Sequence, residues 1–399
     1  MSPSRPSFGR SMLSQWGLDP AETYLNHGTV GAVPRVVLAA QHAVQEEIER
    51  NPARFLLREL ADVKAIPMRM PARMRTAIAP LATFLGADPD DLVFVDNATS
   101  GCNAVLRAWD FAPGDEILVT DHGYGAVTMA AQYAAARAGA TVRTMTLPWP
   151  TITPEAALAA VVEALGPATR MLVIDHVTSG SALILPIAAI AAACRERGVV
   201  TLIDGAHAPG MLPLDLPSLG CDLYTGNLHK WAMSPRSSAI LWVRREWHAR
   251  VRPTVISWGY GQGLAPEFDL VGTRDPSAHL AAPAGIAFLE SLGLDRVRAY
   301  NHSLAYGTAQ RFTERWGTTI PGPESMYASM VTIPLPPSQD ARPEAVQRLK
   351  DELLYEDRIE AQLIAFAGRA WLRLAAQVYN EPADYERLWR ALERRSGRA

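Results

Sequence analysis

The strongest chemical signal in the sequence is a lysine that follows a short strand pattern. Residues 222–235 read DLYTGNLHKWAMSP, so strand-like residues lead through small and polar ones to His229 and Lys230. Trp231 and Met233 make the surroundings apolar, and desolvation lowers the pKa of a lysine. A neutral amine can attack a carbonyl carbon and form an imine, which makes Lys230 a candidate covalent anchor. The alternative is an ordinary solvated surface lysine.

A carboxylate also lies at the end of a predicted strand. Residues 201–207 read TLIDGAH, so Asp204 ends an apolar run. A carboxylate at this place can pair with the protonated nitrogen of a heterocyclic cofactor and keep that ring a good electron acceptor. His207 can hydrogen-bond a phenolic oxygen of the same ring. The alternatives are an aspartate that caps the next helix and a histidine on the surface of that helix.

Two further strand ends carry small, hydroxyl or aromatic residues. Residues 96–103 read DNATSGCN, and a helix that begins here would offer free N–H groups from Ala98 and Thr99 to a phosphate. The GxxxxGK[ST] pattern of nucleotide-binding loops is absent, and the alternative is a plain capping turn. In residues 120–127, TDHGYGAV, Tyr124 is the candidate to stack on a planar cofactor; otherwise it anchors the next helix.

The elements around these motifs indicate an α/β fold. Short β-branched runs alternate with Ala-rich helical stretches from about residue 90, which predicts a mostly parallel, seven-stranded sheet covered on both faces. Ligands of such sheets bind outside the carboxyl ends of the strands, where the four motifs lie. From about residue 276 a helical stretch, 283–300, leads into shorter strands. We therefore predict a large cofactor-binding domain at 25–275 and a smaller α+β domain from residues 1–24 and 276–399.

Composition narrows the class of protein further. The 399 residues are 48% hydrophobic with a formal net charge of -3, which argues against nucleic acid or an anionic membrane as the partner. The three cysteines form no CxxC pair, so we expect neither a disulfide framework nor a metal site. No signal peptide is evident at the N-terminus. The sequence predicts a cytoplasmic protein.

The motifs together resemble the class V group of fold-type I pyridoxal-phosphate (PLP) enzymes, and within it the isopenicillin N epimerase-like branch. Further segments carry the resemblance across most of the chain: YLNHGTVGAVP (24–34), NPARFL (51–56), DHVTSGSALILP (175–186) and GTRDPS (272–277). One departure is Ser237, which follows Pro235-Arg236 where the family often has glycine. The resemblance implies PLP as the cofactor and a homodimer whose active sites are shared between subunits.

The resemblance also implies a role for individual residues. Lys230 would be the Schiff-base lysine, Asp204 the partner of the pyridine nitrogen and Tyr124 the stacking residue. The remaining residues expected to bind the cofactor are Ala98, Thr99, Ser179, His207, Asn227, His229 and, from the partner subunit, Thr273. The residues expected on the substrate side are Asn26, His27, Arg54 and Arg373, with the Arg373 guanidinium binding the α-carboxylate.

The reaction is the least determined property of the sequence. The branch markers favour an epimerase-like enzyme in which Lys230 removes the α-proton of an amino acid or an amino-acid derivative. A C–S or other β-eliminating lyase and an aminotransferase are the alternatives, and a catalytically silent binding protein is a fourth. Cysteine desulfuration is disfavoured because no cysteine follows Cys221. Tyr124, His27 or a partner-subunit residue such as Tyr260 are candidates for the second proton donor of an epimerase.

Overall fold

The protein is described by a computed structural model that covers residues 7–64 and 70–395. Within these ranges, no helix is both long enough and apolar enough to cross a lipid bilayer. The strands are β1 (Thr23–Tyr24), β2 (Leu92–Val95), β3 (Glu116–Thr120), β4 (Thr141–Met145), β5 (Thr169–Asp175), β6 (Val200–Asp204), β7 (Leu223–Asn227), β8 (Ala239–Val243), β9 (Met330–Pro334), β10 (Ile359–Glu360), β11 (Gln362–Phe366) and β12 (Arg369–Ala375). The helices are α1 (Arg35–Arg50), α2 (Pro52–Arg58), α3 (Arg73–Phe84), α4 (Ala98–Ala108), α5 (Gly125–Ala138), α6 (Pro154–Ala164), α7 (Ile187–Glu196), α8 (Leu264–Asp269), α9 (Ser277–Leu280), α10 (Ala282–Leu292), α11 (Leu294–Trp316), α12 (Pro343–Tyr355) and α13 (Pro382–Arg395).

The central sheet has seven strands in the order β2-β8-β7-β6-β5-β3-β4. Only β8 runs antiparallel to its neighbours, which confirms the predicted mostly parallel sheet. Alternate side chains of one strand enter two different cores: Leu92 and Phe94 pack in one, and Val93 and Val95 in the other. The sheet is therefore buried on both faces, and its strands read as continuous apolar runs.

Parallel pairing brings the ends of β3, β5, β6 and β7 to one edge of the sheet. Because β2 and β7 both pair antiparallel with β8, β2 ends at the same edge. The four motifs found in the sequence follow β2, β3, β6 and β7. The fold thus gathers them at one edge, as the strand-end rule predicts.

A second lobe is built on the antiparallel sheet β11-β12-β9, against which α11 and α12 pack. The N-terminal segment joins this lobe, since β1 pairs with β10 and the Gly9 N–H donates to the Val378 carbonyl. The helical stretch predicted over 283–300 is present as two helices rather than one. Gly293, with φ 83°, separates α10 from α11, because a residue in that conformation cannot continue the helix.

The loop between β7 and β8 holds Lys230 and closes through backbone bonds. The Leu228 N–H donates to the Ser238 carbonyl over 3.0 Å, and the Ser234 N–H donates to the Leu228 carbonyl over 3.1 Å. Ser237 has φ 63°, in the left-handed region that favours glycine. The turn therefore keeps the backbone shape for which the family often uses glycine, at a conformational cost to the serine of roughly 1 kcal/mol.

We predict that Ser237→Gly raises the free energy of unfolding by roughly 0.5–1 kcal/mol, because glycine removes the steric cost of the left-handed turn. The urea midpoint of the holoenzyme measures this change. Ser338→Gly is the matched control, since Ser338 is exposed and has no positive φ. There glycine adds only freedom to the unfolded chain and lowers the midpoint. A Ser237→Gly variant no more stable than the unsubstituted protein would show that the turn carries no such cost.

Candidate active site

A cavity of about 800 Å³ opens where the motif-bearing loops meet the second lobe. Its walls come from the large sheet's loops and from β9, β11 and β12. Ten of the residues singled out in the sequence line it: Ala98, Thr99, Tyr124, Ser179, Asp204, His207, Asn227, His229, Lys230 and Arg373. The structure therefore brings residues far apart in the sequence to one site.

The Lys230 amine is the basic group at the floor of this cavity. Its Nζ lies 3.1 Å from Nε2 of His207. Burial, together with the nearby Arg373 guanidinium, lowers the pKa of Lys230 to about 8, against the opposing attraction of Asp204 and Asp175. Burial, together with the nearby charges of Lys230 and Arg373, holds the pKa of His207 well below its ordinary value, so the imidazole is neutral. About a tenth of the Lys230 amine is consequently unprotonated at pH 7, and about half at pH 8, far more than for a solvated lysine.

The lysine loop is held from behind by the segment 24–34. A Cβ on Gly31 would lie 2.3 Å from the His229 carbonyl oxygen, so only glycine allows this approach. His27 is fully buried, with Nε2 3.0 Å from the Lys230 carbonyl oxygen and Nδ1 2.8 Å from the Tyr379 hydroxyl. His27 therefore supports the lysine loop from outside the cavity. Burial lowers the pKa of His27 to about 4.

Two buried carboxylates lie side by side where β5 and β6 end. Asp175 and Asp204 are register partners, and both line the cavity. Asp204 accepts a hydrogen bond from the Ala206 N–H over 2.9 Å. Burial raises the pKa of both groups, and the charge of Asp204 raises that of Asp175 further. Asp175 was not singled out from the sequence, although its place at the end of an apolar run was the same signal that identified Asp204.

The start of α4 lines the cavity, with two of its N–H groups already bonded to side chains, including that of Ala98, which was expected to be free. The Asn97 side chain caps the helix by accepting from the Ser100 N–H over 2.8 Å, and Asn227 accepts from the Ala98 N–H over 2.8 Å. Gly101 lets this helix lie against β7, because a Cβ there would come within 2.3 Å of Thr225 Oγ1. The positive end of the helix dipole thus faces the cavity lined by Ala98 and Thr99.

Arg373 supplies the second cation of the cavity. The guanidinium donates to the Ser179 carbonyl over 2.6 Å, to Asn26 Oδ1 over 3.1 Å and to the Thr29 hydroxyl. These acceptors are neutral, and among residues 7–64 and 70–395 no carboxylate pairs with Arg373. Burial lowers its pKa to about 10. A buried cation without a counter-ion suits an anionic ligand.

The other predicted residues occupy different places. Asn26 is connected to the cavity wall by the hydrogen bonds that it accepts from Arg373 and from Thr29. Arg54 is exposed, and its Nε lies 3.1 Å from Glu59 Oε1, outside the cavity. Thr273 lies in an exposed segment, also outside the cavity of this chain. Tyr124 precedes α5 as its N-cap and lines the cavity with 48% of its surface exposed.

Sequence reasoning missed the aromatic part of the cavity wall. Trp149 follows β4, and Phe366 and Trp371 lie on the hairpin of β11 and β12. His122, two residues before Tyr124, packs edge-on against Trp149 and Phe366. No sequence motif identifies these residues, because their proximity depends on how the two lobes pack against each other.

Comparisons with known proteins agree with this geometry. The family described as Aminotransferase class-V matches residues 23–352. A putative L-cysteine desulfhydrase 1 of Oryza sativa subsp. japonica is 34% identical, over 91% of this chain and 81% of that protein. The isopenicillin N epimerase of Amycolatopsis lactamdurans is 33% identical, over 95% and 96% respectively. A solved structure of the cystine C–S lyase C-DES with cysteine persulfide has a TM-score of 0.76 at 24% identity, covering 93% of this chain and 97% of that one.

The cavity fits PLP on its own chemistry. It offers a desolvated amine for the aldehyde in Lys230, a buried carboxylate for the ring nitrogen in Asp204 and a helix start for the phosphate in α4. A C-DES structure with glycine covalently linked to its PLP cofactor shares the fold, with a TM-score of 0.76. The cofactor of this enzyme is pyridoxal 5'-phosphate, and the chain belongs to the class V aminotransferase family of fold-type I PLP enzymes.

Proposed function

We propose that this enzyme epimerises an amino acid or an amino-acid derivative, by removing the proton from Cα and returning one to the opposite face. The observation that carries the proposal is the pairing of a desolvated amine, Lys230, with an unneutralised guanidinium, Arg373, in one cavity. A guanidinium binds an α-carboxylate through two parallel hydrogen bonds, and such binding orients Cα toward a base.

Each polar residue of the cavity then has a distinct task. Lys230, whose lowered pKa of about 8 leaves a usable unprotonated fraction near neutral pH, takes the α-proton. Asp204 pairs with the ring nitrogen, and the start of α4 together with Asn227 and His229 binds the phosphate. PLP, when bound, supplies a conjugated ring that accepts the electron pair left at Cα.

Tyr124 is our choice for the proton donor on the second face. It is the one phenol on the cavity wall within the part of the chain that the structure describes. His27 is unsuited because both of its ring nitrogens are engaged, by Tyr379 and by the Lys230 carbonyl, behind the lysine loop. Tyr260 is 64% exposed and lies outside this cavity, so it would act only across a subunit interface.

A β-eliminating C–S lyase is the second candidate. It shares the first proton removal and therefore the same roles for Lys230 and Arg373. The chain is about as similar to a putative L-cysteine desulfhydrase as to an isopenicillin N epimerase. Sequence similarity therefore supports the lyase and the epimerase to about the same degree. An aminotransferase ranks third, since no residue marks a keto-acid partner. Desulfuration lacks its nucleophile: burial raises the pKa of Cys102, Cys194 and Cys221.

We further propose a homodimer in which Thr273 contacts the cofactor phosphate of the partner subunit. The exposed position of Thr273 supports this proposal, as do the exposed apolar side chains of Val255, Ile256, Trp258 and Tyr260 in the preceding loop. A contiguous exposed apolar segment is typical of a contact surface between proteins. The division into domains at 25–275 and at 1–24 with 276–399 likewise remains a proposal.

The depressed pKa of Lys230 predicts how PLP uptake depends on pH. Only the unprotonated amine reacts with an aldehyde, so the rate of PLP incorporation into apoenzyme should rise with pH and level off above a midpoint of about 8. Stopped-flow absorbance of the lysine-linked cofactor measures this rate. A rate that keeps rising toward the ordinary lysine pKa would show that the amine is solvated.

Tyr124→Phe tests the assignment of the second proton donor. In heavy water, we expect the variant to exchange the α-proton of a substrate but to invert the centre roughly 100-fold more slowly, because one acid–base group is lost. Proton NMR and chiral chromatography separate the two rates. Tyr133→Phe, on an exposed face of α5, is the control. Undiminished inversion by Tyr124→Phe would remove Tyr124 from this role, and release of pyruvate or ammonia by the unsubstituted enzyme would favour the lyase.

Arg373→Ala should weaken substrate binding while the cofactor stays bound. We expect KM to rise by roughly 100-fold for an amino acid, since about 3 kcal/mol is typical of a charge-assisted pair. The corresponding amino-acid amide lacks the carboxylate, so its KM should rise much less. Steady-state kinetics with both compounds, together with the visible cofactor band, make the comparison. Equal losses for acid and amide would mean that Arg373 does not bind the carboxylate.

A further inference from the structure

Four rings form a continuous aromatic patch on the cavity wall. The patch consists of His122, Trp149, Phe366 and Trp371, all of which line the cavity. Ring centroids are 4.8 Å apart for Trp149 and Trp371, 4.9 Å for His122 and Phe366, and 5.3 Å for His122 and Trp149. The rings come from both lobes and pack edge-on or tilted, an arrangement that leaves ring faces and edges for apolar contact.

The position of this aromatic patch relative to Arg373 follows from strand geometry. Side chains two residues apart on a strand share a face, so Trp371 and Arg373 of β12 point the same way. On β11, Ile364 is the register partner of Trp371 and Gln362 that of Arg373. Phe366 lies two residues beyond Ile364 and therefore on the same face. A ligand whose carboxylate binds Arg373 therefore has Trp371 and Phe366 along the same wall.

Polar groups next to the patch are already engaged by the protein. His122 Nδ1 lies 2.6 Å from the Ser181 hydroxyl, and burial lowers the pKa of His122 so that its ring is uncharged. Asp121 accepts from the Leu147 N–H over 3.0 Å, and Thr332 donates to the Gly180 carbonyl over 2.8 Å. The patch thus offers mainly apolar contact area, with two buried ring nitrogens of its own, Nε2 of His122 and Nε1 of Trp149, that have no hydrogen-bond partner in the described part of the chain.

We propose that the aromatic patch binds the substrate side chain and selects amino acids whose side chain carries a bulky apolar or aromatic group. This inference rests on the proposed function, since it takes Arg373 as the carboxylate anchor. A small side chain such as that of alanine or cysteine leaves the partly exposed portion of the patch, the rings of Trp149 and Phe366, in contact with water. A large apolar one covers it, which stabilises the complex in proportion to the area buried.

A cationic side chain suits the patch less well. Aromatic rings attract cations, but the Arg369 guanidinium already lies over the Trp371 ring, 5.7 Å from its centroid. A second positive group there would be repelled by Arg369. The charge distribution therefore disfavours a cationic side chain.

Binding of unreactive carboxylates to the holoenzyme tests this inference without requiring turnover. Hydrocinnamate, propionate and ε-aminocaproate carry an aromatic, a small and a cationic end, and none has an α-amino group. We expect hydrocinnamate to bind about tenfold or more tightly than the other two, by isothermal calorimetry. Phe366→Ala should remove most of that preference, and Phe366→Leu should keep part of it. Tyr355→Ala, at a 78% exposed site on α12, is the matched control.

The outcomes separate this inference from the proposed function. Equal affinity for hydrocinnamate and propionate, or tightest binding of ε-aminocaproate, would overturn the role given to the patch. So would a hydrocinnamate preference that survives Phe366→Ala with the cofactor band intact. Hydrogen exchange at Cα in heavy water would still test the chemistry of Lys230 independently. Conversely, selective hydrocinnamate binding without any hydrogen exchange at Cα would support the role given to the aromatic patch and contradict the epimerase proposal.

Discussion

The site depends on the desolvation of the Lys230 amine, which lies near one cationic and two acidic side chains. Lys230 is buried beside the cation Arg373 and near the carboxylates Asp175 and Asp204, and the desolvation outweighs the attraction of the acids, so the pKa of Lys230 falls to about 8. At pH 8 a lysine exposed to water would be almost fully protonated, and a protonated amine cannot react as a nucleophile or base. The parallel sheet makes this arrangement possible, because it delivers both acids and the lysine loop to one edge.

The lysine loop needs support because burial of a charged group is costly. That support comes from backbone contacts too close for any side chain. Gly31 lies against His229 and Lys230, and a Cβ on Gly210 would fall 2.3 Å from the Trp231 carbonyl oxygen. His27 adds a hydrogen bond to the Lys230 carbonyl and links it to Tyr379 of the second lobe. The segment 24–34 therefore couples the position of the lysine to the packing of both lobes.

Much of the large sheet could be predicted from the sequence, because buried parallel strands appear as short apolar runs between turn residues. The large sheet has the predicted seven strands, and the residues after the strands lie together as expected. The helix break at Gly293 was missed, since the surrounding residues are good helix formers. The sequence could not identify three aromatic residues of the cavity wall, Trp149, Phe366 and Trp371. Their contact depends on how the two lobes pack against each other, and no sequence pattern predicts that packing.

The most direct test of this account uses the scarcity of lysine in the chain, which has only Lys64, Lys230 and Lys350. Borohydride reduction of the holoenzyme fixes PLP to the amine that carries it, and peptide mass mapping then identifies that amine. The account predicts a pyridoxyl label on the peptide containing Lys230, and none after Lys230→Ala. Label on Lys64 or Lys350, or no label in a protein that binds PLP, would contradict it.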